Sequence, residues 1–288
     1  MSRLLLQTTI TRASDDWHVG RFSRLARHLA SMGGPGGAPL HAVTSRDREP
    51  GADGVDPVLR DASPDAFDQI WVFGVDAGGE TGLAPEEVAG LRRFYERGGA
   101  LMLTRDHQDM GCALSGIGDV GAAHCWHSVE PEEDPERRVR DDENPSIEWP
   151  NYHSGRNGAF QSIERLAGDH ALLEGVDLLP AHPHEGALRV PEGGVAIARS
   201  SSRLSGRHFL LAVAFDHPAS DGAPGRRAVA QSTFHHFADY NIDVGDGAPS
   251  FVTDPVAPEA DRDPEGARQS IQYWENLAGW LGEPLTRR

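Results

Sequence analysis

The chain has 288 residues, 44 of them acidic and 27 basic, and every one of the 27 basic residues is arginine. A guanidinium does not deprotonate, so a chain without lysine cannot run Schiff-base, pyridoxal-phosphate, phosphate-loop-lysine or lysine general-base chemistry. A formal charge of -17 argues against nucleic acid and anionic membrane surfaces as partners, because both recruit clustered cations.

Hydrophobic residues make up 38% of the chain, enough for a sizeable core. No run approaches the roughly 20 apolar residues of a membrane span, and the N-terminus reads as a strand instead of a signal-peptide core. A cytoplasmic location is expected, with self-association left open. Cys112 and Cys125 cannot build a disulfide framework; free thiols, a bridge or a metal remain open for them.

The first element is a buried strand over residues 4–10 (LLLQTTI). Asp15 and Asp16 then read as caps of a helix whose apolar spacing is Phe22, Leu25 and Leu29, and Gly33-Gly34 stops it. A second strand is expected at residues 70–73. Pro85, Glu86 and Glu87 open a helix with stripe Val88, Leu91 and Phe94, Gly98-Gly99 end it, and residues 100–104 form the next strand. The alternation predicts an α/β fold, a flavodoxin-like three-layer sandwich around a mostly parallel sheet.

Periodicity fails between about 106 and 158, which reads as one long irregular insertion with an acidic core at 130–144. Within it Gly116-Ile117-Gly118-Asp119-Val120-Gly121 matches G-x-G-x-x-G. The strand and helix that a dinucleotide site needs are missing around it, so it reads as a flexible loop and no nucleotide is expected. Short strands return at 195–198, 209–215 and 228–232. Asp263 and Pro264 open a last helix with stripe Ile271, Trp274, Leu277 and Leu281, closed by Gly282 and Pro284. No linker divides the chain, so residues 1–288 are read as one domain.

In open α/β sheets ligands bind beyond the carboxyl ends of the strands, and polar clusters sit there. Asp106 and His107 follow the 100–104 strand, and His235, His236 and Asn241 follow the 228–232 strand. His182, His184 and Glu185 lie between. On an extended backbone His182 and His184 share a face, which suits an acid/base pair or a divalent metal (Zn²⁺, Fe²⁺ or Mn²⁺) held by His182, His184 and His235. Hydrogen-bonded loop histidines without metal are the competing reading. His124 and His127 around Cys125 offer a weaker metal pair. Trp126, Tyr152, His153 and Asn241 are candidate substrate contacts, although aromatics more often pack. No G-x-S-x-G elbow supports a serine nucleophile.

Taken together these segments resemble the class I glutamine amidotransferase-like superfamily, and within it the trehalose-utilisation (ThuA-like) branch. Residues 98–107 (GGALMLTRDH) are similar to a family strand that follows a glycine pair and ends in histidine. Residues 170–176 (HALLEGV) resemble H-P-I/L-x-x-G-L/V with alanine for proline, and a family glutamate some ten residues later falls near Glu185. Residues 225–236 (GRRAVAQSTFHH) are similar to the late strand that ends in G-H. The glutaminase cysteine elbow is absent, because Thr104 to His107 occupy its place and Cys112 lies too far along. The resemblance implies an enzyme, not a glutaminase, acting on a small carbohydrate-like substrate as a hydrolase, isomerase or lyase. Asp106, His107, His184, Glu185 and His236 would act as acid/base groups. A non-catalytic ligand-binding or assembly module using the same cleft is the alternative.

Overall fold

A computed structural model describes residues 1–140, 146–220 and 222–283. The end of the expected acidic run at 130–144 and Pro284 lie outside the described residues. Among the described residues no helix is long and apolar enough to cross a membrane.

The central sheet has eight strands: β1 Ser2–Thr8, β2 His41–Arg46, β3 Gln69–Phe73, β4 Ala100–Thr104, β5 Glu164–Arg165, β6 Gly194–Ser201, β7 His208–His217 and β8 Arg226–Gln231. Their order is β2-β1-β3-β4-β8-β7-β6-β5. The five strands from β2 to β8 pair in parallel, whereas β7, β6 and β5 follow as antiparallel neighbours. The opening 2-1-3-4 order is that of flavodoxin-like sheets, so the fold is the α/β sandwich expected from the alternation.

Side-chain alternation along the buried strands divides the core into two layers. Leu4, Leu6, Trp71, Phe73 and Met102 face one layer, with Leu25 and Leu29 of helix α1 (Ser23–Ser31) and Trp274 and Leu277 of helix α3 (Pro264–Gly282) packed against them. Leu5, Ile70, Val72, Leu101 and Leu103 face the other, covered by Leu91 and Phe94 of helix α2 (Pro85–Glu96). Burying each such side chain stabilises the fold by about 1.5–3 kcal/mol.

The helix ends are set by specific acceptors. In α2 the Glu87 carboxylate reaches back to the Ala84 N–H at 2.6 Å, and in α3 Asp263 accepts the Glu265 N–H at 2.9 Å. The expected caps of α1 are elsewhere: Asp15 accepts Ser250 and Asp16 accepts the Trp17 N–H. Asp239 caps α1 instead, taking the Ser23 and Arg24 N–H groups at 2.9 and 2.8 Å. Orphan amides at a helix start need an acceptor but not a sequence neighbour. This cap ties α1 to the short helix Asp239–Ile242, which carries Asn241.

The 106–158 stretch is more structured than the sequence suggests. It holds a 3₁₀ turn at Cys112–Gly116, a single helical turn at Gly118–Ala122 and a short strand His124–Cys125 paired with Ala187–Leu188. Gly121 is forced by packing, since a Cβ there would lie 2.3 Å from the Leu114 carbonyl oxygen. The G-x-G-x-x-G match is thus a packed turn rather than a flexible loop, and no strand feeds it.

Candidate functional site

Two strands that end side by side in the sheet, β4 and β8, aim the site. Past β4 the chain turns through Arg105, whose fully buried guanidinium donates to the carbonyls of Gln108, Met110 (3.2 Å) and Cys125 (2.8 Å). Burial pushes its pKa down to about 10. With the loop pinned in this way, Asp106 is directed into the interior at 1% exposure. Past β8, Thr233 accepts the His235 N–H at 3.1 Å and starts the 3₁₀ turn Phe234–His236. The third contributor, the segment after the short strand Leu178–Pro180, brings His182.

Three imidazoles surround the Asp106 carboxylate. Its Oδ2 lies 3.4 Å from His182 Nε2, 3.6 Å from His107 Nε2 and 3.8 Å from His235 Nε2. Its Oδ1 is buried without a hydrogen-bond partner. The far sides of two rings are held by amides. Asn157 Oδ1 lies 3.0 Å from His182 Nδ1 and accepts Asn241 Nδ2 at 2.8 Å, and Asn241 Oδ1 lies 2.7 Å from His235 Nδ1. In this arrangement each Nδ1 carries the proton and each Nε2 turns a lone pair toward Asp106. Burial first, and then neighbouring histidines, hold the His182 and His235 pKa values well below the ordinary imidazole value, while burial lowers that of His107.

A cavity of about 230 Å³ opens over this group, walled by Trp17, Met110, Phe234, Phe251, Thr253 and Asp254 as well as the four histidines His107, His182, His184 and His235. His184 Nε2 hydrogen-bonds Asp254 Oδ1 at 3.1 Å, and that bond holds the Asp254 carboxyl below its usual range. His182 and His184 therefore have different partners. The turn at Pro183–His184 breaks the extended backbone on which a shared face depends. Trp17, Asn157 and Asp254 join the site from outside the named helices and strands, where no periodicity marks them, Asn157 through an isolated bridge to Val256.

Glu185 and His236 lie behind the cavity, not on it. Both are fully buried, with His236 Nε2 3.5 Å from Glu185 Oε2. Glu185 accepts from Ser154, Gln161 and, at 3.2 Å, Ser232; His236 Nδ1 contacts Gln231, which in turn accepts from the Tyr273 hydroxyl at 2.7 Å. Trp126 is buried beneath the Arg105 guanidinium, 5.2 Å from it, and Tyr152 stacks on Phe209 with its hydroxyl donating to the Arg137 carbonyl. Neither lines the cavity. His153 is buried beside a separate, open cavity with Arg156 and Arg203. His124 is fully buried, whereas the half-exposed His127 pairs with Glu148 at 2.6 Å. Cys112 and Cys125 are free and buried, and burial raises the Cys125 thiol to about 12, far from a reactive thiolate.

No protein-family model and no curated protein sequence matches the chain. Solved structures share its fold. A cytoplasmic protein from Salmonella typhimurium LT2 aligns at TM-score 0.50 and 9% identity over 98% of this chain and all of that one. The N-terminal domain of mmIFT52 aligns at 0.51 and 12% over all of both chains. A ThuA-like protein from Parabacteroides merdae ATCC 43184 aligns at 0.51 and 13% over all of this chain and 92% of that one. At these identities the likeness is one of fold, and the fold is the one the resemblance to ThuA-like proteins implied.

Proposed function

We propose that this chain is an enzyme that moves protons on a small, uncharged, hydroxyl-rich substrate of carbohydrate type, bound in the cavity over Asp106. The observation that carries the reading is the His184–Asp254 hydrogen bond on the lining of the cavity that Asp106 and His107 share, with the His184 ring 5.6 Å from that of His107. A carboxylate that orients an imidazole at the edge of a cavity is the arrangement general acid/base chemistry uses. His184, steadied by Asp254, exchanges a proton with a substrate hydroxyl or an adjacent carbon, and Asp106 with its histidines lines the same cavity beside it.

The walls support the substrate class. The chain has no lysine, and no arginine is among the residues that line this cavity, which contains two carboxylates. Unless a cation is bound there, a phosphorylated or carboxylated substrate would meet uncompensated negative charge. Trp17 and Phe251 offer apolar faces against which a sugar ring can pack. The volume lies below the ~300–1,000 Å³ of common ligand pockets, which fits one small ring and not a nucleotide.

The test is turnover in deuterated water against a panel of unphosphorylated sugars and polyols, followed by NMR. His184→Ala and Asp254→Asn should keep the unfolding midpoint and lose roughly 10²- to 10⁴-fold in turnover. Compounds that raise the melting temperature but are never exchanged or converted would instead establish a binding module.

A further inference from the structure

We infer that Asp106, His182 and His235 form a centre for one first-row divalent transition-metal ion, open on its cavity side to the oxygens of the substrate. The inference concerns the same cavity as the reading above and deepens it.

The argument starts from an electrostatic conflict. With Asn157 and Asn241 accepting at the Nδ1 positions, the Nε2 atoms of His182 and His235 present lone pairs to a carboxylate that is itself an acceptor. The Asp106 side chain is buried; among the described residues its Oδ1 has no hydrogen-bond partner, and its Oδ2 faces the Nε2 atoms of His182, His107 and His235 at 3.4, 3.6 and 3.8 Å. Three buried, inward-facing acceptors repel one another, and a cation among them relieves the conflict. The two imidazole rings lie stacked, 3.4 Å apart between centroids and 18° from parallel, and both Nε2 atoms lie within 4.8 Å of the Asp106 oxygen.

The spacing is close to that of a ligand shell. The three donor atoms all lie within 4.8 Å of one another. Bonds of about 2.0–2.1 Å in a tetrahedral shell put neighbouring donors roughly 3.3 Å apart. The Asp106–His182 separation of 3.4 Å is already there, and His235 at 3.8 Å needs a shift of a few tenths of an ångström and a small opening of the stacked rings. Two imidazoles and one carboxylate select a borderline ion such as Zn²⁺, Fe²⁺ or Mn²⁺ over Mg²⁺ or Ca²⁺, which prefer oxygen shells. The amide partners on both Nδ1 atoms are the orienting contacts that metal-binding histidines ordinarily have. His184, committed to Asp254, stays outside the set.

The experiment uses the full chain without a polyhistidine tag, stripped with a chelator and titrated with Co²⁺. One equivalent should bind, with visible d–d absorption that Zn²⁺ abolishes. Asp106→Asn and His235→Ala should lose the band, Asn241→Ala should weaken binding about 10- to 100-fold, and His184→Ala should retain it. Thermal unfolding of each stripped variant checks folding. Should Asp106→Asn not fold, His182→Gln takes its place. Substoichiometric uptake, no band, or loss of the band in His184→Ala as complete as in His235→Ala overturns the centre. Turnover surviving in stripped protein that takes up no Co²⁺ leaves the proton-transfer reading standing and removes the metal. Metal binding without turnover on any sugar does the reverse.

Discussion

His235 Nδ1 lies 2.7 Å from Asn241 Oδ1, and the same asparagine donates to Asn157, whose oxygen faces His182 Nδ1. One amide chain thus sets the proton positions of two imidazoles that come from segments more than fifty residues apart. Long-range ¹H–¹⁵N spectra at pH 7 should show both His182 and His235 as the Nδ1–H tautomer. In Asn241→Ala the His235 signal should move toward the Nε2–H form while His124 stays unchanged. An Nε2–H form of His235 in the unmodified chain would sink this assignment of protons.

Glu185 behaves in this structure as a packing element of the buried polar network behind the site. It accepts from Ser154, Gln161 and Ser232 and faces His236, all away from solvent. Glu185→Ala strands those donors, and urea denaturation should register a loss of about 3–5 kcal/mol. Glu185→Gln keeps the shape but opposes one donor with another, for about 1–3 kcal/mol. Because Glu185 is absent from the cavity wall, the turnover per folded molecule of Glu185→Gln should stay within a few-fold of the parent. A loss as large as that of His184→Ala would make Glu185 a catalytic residue after all.

Much of the frame can be read from the sequence because local rules decide it. Residues 70–73 and 100–104 are apolar runs between turn residues, and Pro85 and Pro264 sit where helices start, so β3, β4, α2 and α3 follow from short-range chemistry. The site is legible only in part. Asp106, His107 and His235 stand directly after parallel strands, where topology concentrates ligands. Asp254, Trp17 and Asn157 are single residues outside the named helices and strands, and their relation to Asp106 exists only in three dimensions. His184 is separated from His182 by a turn that period-two reasoning cannot foresee, and the cap of α1 comes from Asp239, more than two hundred residues away. Trp126 and Tyr152 show the usual fate of aromatics near polar clusters, which is packing.

His124 links the fold to acidity. Burial, with Arg105 adding repulsion, pushes its pKa down to about 3, against about 6.5 in the unfolded chain. Below pH 6.5 the unfolded chain takes up a proton that the folded chain refuses until about pH 3. Stability is therefore full above pH 6.5 and falls as the pH drops, by up to about 1.4 kcal/mol per pH unit for this one proton. His107, His182 and His235 act in the same direction. Urea midpoints at pH 7, 6 and 5 should decline steeply, and His124→Phe should lose about 1 kcal/mol less than the parent between pH 6 and 5. Parallel curves for the two proteins would mean that His124 is protonated inside the fold.

Gly186 is the position at which the site tolerates no added atom. A Cβ there would lie 2.5 Å from the Asp106 carbonyl oxygen, 2.7 Å from that of Ser232 and 3.1 Å from Arg105 Nη1. Two of these contacts are backbone, from the segments that leave β4 and β8, so neither can rotate away as a side chain would. Gly186→Ala must spread the two strand ends, moving Asp106 relative to His235. Overpacking of this kind costs about 1–3 kcal/mol, and here it also changes the distances on which the site depends. The expected result is a lower urea midpoint together with shifted His182 and His235 ring signals. Gly279 supplies the control, since it is an exposed residue inside α3 with nothing within 4 Å of an added Cβ. Gly279→Ala should stabilise the protein by about 0.5–1 kcal/mol through helix propensity and leave those ring signals in place. If Gly186→Ala were as benign as Gly279→Ala, the close approach of the two strand ends would not be what holds Asp106 against its histidines.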